Sequence, residues 1–134
     1  MTASLSTVHL LVDDPDAALG FYRDAVGLDL RNDVANENFR WITVGAADQP
    51  DMSIVLSNYL NGSLADSETL ADLVDKGVLN GVHFQTDDVS ATFDKLAAAP
   101  GVEVVQEPTD KEWGSGKYAA VRDPAGNLVR IEQD

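Results

Sequence analysis

The stretch Val8-His9-Leu10-Leu11-Val12-Asp13-Asp14 decides the fold, because the chain writes it twice. It returns 74 positions later as Val82-His83-Phe84-Gln85-Thr86-Asp87-Asp88, with Val, His and the Asp pair identical and Ala17 and Ala91 at the same offset. In each copy a strand-like run meets a helix start. Asp14 followed by Pro15 reads as an N-cap with proline at the first helical position, where its missing N–H costs nothing. Asp88 with Ser90 is a weaker form of the same signal. A unit used twice at this spacing predicts two half-domains, not a solenoid.

Working outward, residues 5–12 form a strand, and 15–26 a helix with Ala18, Leu19, Tyr22 and Val26 on one face, closed by Gly27. Three strands follow, Leu28–Val34, Phe39–Gly45 and Met52–Asn58, so the first unit is β-α-β-β-β. After a polar insert at 59–63, a short helix begins at Ser67, buries Leu70, Leu73 and Val74, and stops at Gly77. The second unit repeats the order. Gly81–Asp87 is a strand, Val89–Ala98 a helix ended by Pro100-Gly101, and Val102–Gln106, Lys117–Arg122 and Asn127–Gln133 are three more strands. Asp123-Pro124-Ala125-Gly126-Asn127 joins the last two strands as a hairpin, with Gly126 in the left-handed position. The connection Glu107–Gly116 is long enough to act as a flap, and carries Trp113-Gly114-Ser115-Gly116. The predicted organisation is one domain over 1–134, made of repeats at about 5–58 and 80–133 joined by a loop-helix insert at 59–79.

Composition narrows the partners. The 134 residues hold 23 Asp and Glu against 9 Lys and Arg, a net charge of −14 that repels phosphate backbones and anionic membrane surfaces. Nucleic acid and membrane are therefore not expected as partners. Cysteine is absent, which removes disulfides and thiolate chemistry. With no signal-peptide pattern at Met1-Thr2-Ala3-Ser4 and no apolar run of membrane-spanning length, the expected location is the cytoplasm.

Val12-Asp13-Asp14 leading to Phe21-Tyr22-Arg23-Asp24 and Gly27-Leu28, then Thr86-Asp87-Asp88-Val89, then Arg122-Asp123-Pro124-Ala125-Gly126-Asn127, resemble the vicinal oxygen chelate superfamily across the whole chain. That superfamily holds glyoxalase I, extradiol dioxygenases and the bleomycin- and fosfomycin-resistance proteins. The resemblance implies an α+β fold in which two βαβββ units form cupped mixed sheets that hold a ligand, often with a divalent metal. It also implies a homodimer.

Carried over position by position, the family's metal ligands do not transfer. Its first histidine falls on Thr7, its strand-four ligand on Val55, its second histidine on Gly81 and its final glutamate on Arg130. None of these ligates, and Arg130 puts a permanent cation where a metal belongs. No cofactor is therefore expected. The alternative is a relocated site for Zn, Ni, Fe or Mn built from His9, His83 and Glu132, with Ser57 at the equivalent strand-four place. Each of these lies two residues past the inherited position, on the same strand face and roughly 7 Å along.

These residues, with Trp113 on its Gly-flanked loop as a lid or dimer contact, make the expected ligand pocket. Trp41 reads as core packing. Arg130 is expected either to bind a carboxylate or phosphate of a small molecule, or to pair with a protein carboxylate, Glu132 or another of the many acids. The leading functional expectation is a metal-free protein that binds a small organic molecule. A metal-dependent lyase or extradiol-type dioxygenase is the alternative, and acid–base catalysis by Glu132 beside Arg130 a third.

Overall fold

A computed structural model describes residues 3–35, 40–57, 64–76, 80–112 and 114–134. The chain separates into two compact units, Met1–Ala71 and Asp72–Asp134. Each holds one four-stranded mixed sheet, as the α+β reading requires.

In the first unit, β1 (Thr7–Leu11), β2 (Asp29–Ala35), β3 (Arg40–Gly45) and β4 (Ser53–Ser57) are ordered β1-β4-β3-β2. The β1/β4 pair is parallel and the others antiparallel. The second unit repeats this with β5 (Asn80–Gln85), β6 (Glu103–Asp110), β7 (Lys117–Arg122) and β8 (Leu128–Gln133), ordered β5-β8-β7-β6. Its parallel pair is β5/β8.

The helix α1 (Pro15–Leu19) starts where the sequence places it. Asp14 is extended and its carboxylate accepts from the amides of Asp16 and Ala17 at 3.1 and 3.2 Å. From Gly20 to Ala25 the winding changes to π. A wider turn rotates less per residue, so the adjacent rings of Phe21 and Tyr22 both point inward. They are 2% and 0% exposed and meet edge-to-face at 4.8 Å. This corrects the expected helical face. Phe21 and Ala25 join the buried set, while Val26 is only half-buried.

The remaining helices are α2 (Leu64–Asp75) and α3 (Val89–Ala97). The first begins three residues before the expected Ser67; its Val74 is buried, with Leu70 and Leu73 half-buried. The insert at 59–63 and the stop at Gly77 lie outside the described residues. α3 buries Val89, Phe93 and Leu96. Its N-terminus is capped by Asp88, which accepts from the Ala91 amide at 3.0 Å, and by Gln133, whose Oε1 accepts from the Val89 amide at 2.8 Å. No helix among the described residues is long and apolar enough to cross a membrane.

One strand boundary and one strand register depart from the expectation for a physical reason. β6 runs on to Asp110, pairing Thr109 with Tyr118 and Asp110 with Lys117, so the expected flap over 107–116 loses 107–110 to the sheet. Pro108 is tolerated because β6 is an edge strand with two register shifts. In β2 a register shift between Leu30 and Asn32 re-aims Arg31. Its guanidinium lies over Gly45 and donates to the carbonyls of Ala46, Gln49 and Met52.

Arg40 ties β3 to β2 and α1 by donating to both oxygens of Asp33, at 3.1 and 2.8 Å, and to Asp16. The hydrogen-bonded guanidinium holds the Asp33 carboxyl below its ordinary range. A depressed carboxyl adds stability above its unfolded pKa and loses it as pH falls through the folded value. Arg40→Gln should therefore return Asp33 toward the usual range in an NMR titration. The gap in melting temperature between variant and parent should close as the pH is taken well below 4. An unchanged Asp33 titration in the variant would show the pairing to be inconsequential.

Candidate functional site

Alternation along the strands separates two faces in each unit. In the first, Leu10, Ile42, Val44, Ile54 and Leu56 are all at most 8% exposed and form the face that takes α1. The opposite face is laid out in rows by strand register. His9, Val55 and Thr43 make one row, and Leu11, Ser57 and Trp41 the next. Thr7 stands one row earlier, beside Ser53. His9 is exposed and its ring meets Trp41 edge-on, with centroids 5.0 Å apart. Trp41 is half-buried on this face, away from α1, and is not among the fully buried core residues, which corrects the sequence reading. Val55 and Ser57 are buried.

The second unit repeats the rows with different chemistry. Ala119, Val121, Val129 and Ile131 are buried on the face that α3 covers. On the other face His83, Arg130 and Ala120 form one row, and Gln85, Glu132 and Tyr118 the next. Row by row, Val55 corresponds to Arg130, Ser57 to Glu132 and Trp41 to Tyr118. In both units the histidine stands beside the inherited metal-ligand position, with Ser57 or Glu132 one row on.

Around Glu132 three basic groups converge. Arg130 Nε lies 2.9 Å from Oε1, His83 Nδ1 3.5 Å from the same oxygen, and Lys111 Nζ 3.5 Å from Oε2. Lys111 also approaches Asp134 at 3.5 Å. The Arg130 guanidinium carbon sits over the Tyr118 ring, 4.0 Å from its centre, a cation–π contact. Of the two outcomes expected for Arg130, the partner is the protein carboxylate Glu132.

Lys111 and Tyr118 were not among the sequence candidates. Tyr118 had a usable signal, since counting outward from the Asp123–Asn127 turn sets it opposite Glu132. Lys111 had none, because its place depends on where β6 ends. Trp113 lies outside the described residues.

The pattern that defines the Glyoxalase/Bleomycin resistance protein/Dioxygenase superfamily matches residues 4–131. The chain belongs to that superfamily. Among solved structures, that of UcmS2 is 34% identical with a TM-score of 0.85, covering 98% of each chain. TnmS3, described as an antibiotic binding protein from Streptomyces sp. CB03234, is 29% identical with a TM-score of 0.71, over 98% of this chain and 96% of that one. YurT of Bacillus subtilis is 32% identical over 92% of this chain and 94% of its own.

The divalent metal common in the superfamily finds no matching donor set in these side chains. Val55 is aliphatic and 1% exposed. At Gly81 any side chain is excluded, because a Cβ there would lie 2.4 Å from the Leu128 carbonyl oxygen. Arg130 is a cation. In the relocated alternative, Glu132 already faces Arg130 and Lys111, and a carboxylate held by two permanent cations is a poor ligand for a third. Among the described residues no group of three His, Asp or Glu gathers as a metal would need.

Proposed function

We propose that this superfamily member binds a small organic molecule of antibiotic type, noncovalently and without a metal, as a cytoplasmic homodimer. The observation that carries the reading is the fate of the inherited ligand positions in the second unit. One is a glycine with no room for a side chain, and the other an arginine engaged with Glu132. The description of TnmS3 as antibiotic binding supports the ligand class. Trp41 and Tyr118, at matching rows of the two units, suit it chemically, since each offers an aromatic surface to a conjugated ring, worth roughly 0.5–1.5 kcal/mol per ring pair.

The test is calorimetric titration of protein purified without chelator against a panel of aromatic antibiotics that includes bleomycin. Metal content is measured by mass spectrometry on the same sample. At least one compound should bind and be recovered chemically unchanged after prolonged incubation, with metal far below one equivalent. Conversion of the compound would overturn the reading. So would stoichiometric zinc, nickel, iron or manganese that a His9→Ala, His83→Ala double variant no longer retains.

A further inference from the structure

The charged row of the second unit holds more donors than its one carboxylate uses. Arginine presents five N–H groups in a planar fork and lysine three. Among the described residues neither the Arg130 nor the Lys111 side chain makes a well-aimed hydrogen bond. Arg130 Nε is buried and counts as unsatisfied although a Glu132 oxygen lies 2.9 Å away, because its N–H is not aimed at that oxygen. Lys111 is only 16% exposed, yet its contacts are 3.5 Å long. Two partly buried cations thus face one inner carboxylate, with Asp134 out in solvent at 86% exposure. Tyr118 covers one face of the guanidinium, so what remains for a partner includes the in-plane edge. A planar, singly charged oxyanion matches that edge bidentately and brings the inner group to neutrality.

We propose that this row recognises a carboxylate on the ligand, held between Arg130 and Lys111, with Glu132 acting as an internal stand-in that gives way when the ligand arrives. The inference rests on the binding reading above and names the chemical group it selects. Carboxylate is favoured over phosphate because a dianion would overfill a site with one unit of spare charge and crowd Glu132.

Benzoate, its neutral isostere benzamide and inorganic phosphate serve as probes, followed by NMR shifts of the Arg130 Nε–H and by fitted affinities. Benzoate should move that resonance and bind at least tenfold more tightly than benzamide or phosphate. Arg130→Gln should weaken benzoate about tenfold or more and Lys111→Gln several-fold, whereas Arg23→Gln, on an exposed pair with Asp24, should leave it unchanged. Glu132→Gln supplies the decisive sign. Removing the stand-in should tighten benzoate about tenfold, whereas a purely structural Glu132 would leave affinity unchanged or lower. Circular dichroism on each variant separates lost binding from lost fold. Equal binding of benzoate and benzamide, weaker binding in Glu132→Gln, or an unmoved Arg130 resonance would each overturn the carboxylate assignment. The antibiotic titration would still decide the broader binding reading by itself.

Discussion

Replacing Asp123 by alanine should lower the melting temperature by about 10 °C or more, the largest loss expected from any single carboxylate among the described residues. Asp123 is 2% exposed, and its Oδ1 accepts from the amides of Ala125, Gly126 and Asn127 at 2.9–3.0 Å. Its Oδ2 takes the Asn127 side-chain amide at 3.1 Å. The turn is closed again through the backbone, with the Asp123 amide donating to the Asn127 carbonyl and the Gly126 amide to the Asp123 carbonyl. Alanine takes this acceptor from the Ala125 and Asn127 amides, each costing about 1–3 kcal/mol when left without a partner, while the Gly126 amide keeps the Asp123 carbonyl. Asp123→Asn keeps one acceptor oxygen and should recover part of the loss. Calorimetry at neutral pH checks this, and a fall of under about 3 °C would show that water replaces the carboxylate. Since this hairpin sets β7 against β8, failure here should also disturb the Tyr118–Arg130 contact.

The second large effect concerns Arg31. Its guanidinium bridges three carbonyls and the Ser53 hydroxyl, at 2.5–3.0 Å, and so organises the turn between β3 and β4. It fits only because residue 45 is glycine, where a Cβ would come 2.3 Å from the guanidinium carbon. Arg31→Met should cost about 3 kcal/mol, since hydrogen bonds to a charged donor contribute about 1.5–3 kcal/mol each and this one is partly exposed. Gly45→Ala should cost a comparable part by pushing the same group aside. The double variant should lose no more than the worse single, because both remove one interaction. Additive losses in denaturant unfolding would mean that the glycine and the arginine serve separate ends.

Much of this architecture was legible in the chain because its signals are local. The caps at Asp14 and Asp88, the Asp123–Asn127 turn and the alternation of β7 and β8 each depend on a few neighbouring residues. The duplicated Val-His and Asp-Asp pairs gave the repeat, and strand register confirms it, since His9 beside Val55 matches His83 beside Arg130. What escaped depends on partners far along the chain. The π segment follows from burying Phe21 and Tyr22 together, and the bulges in β2 and β6 from fitting Arg31 and Pro108 to their neighbours. Trp41 reads as core from sequence because both alternating sets of its strand are partly apolar, and only the strand register shows which face it takes. At the candidate site, Arg130 and Glu132 were found by counting along one strand, whereas Lys111 needed the true end of β6.

Each sheet also divides its sequence into two inheritances. Substitutions on the helix-facing residues, such as Val129 and Ile131, are judged by packing, and few will survive selection. Those between them, Arg130 and Glu132, contribute little to that packing and can drift without unfolding the chain. A duplicated scaffold of this kind can retrain one half on a new chemical group while its twin keeps the old one, one codon at a time.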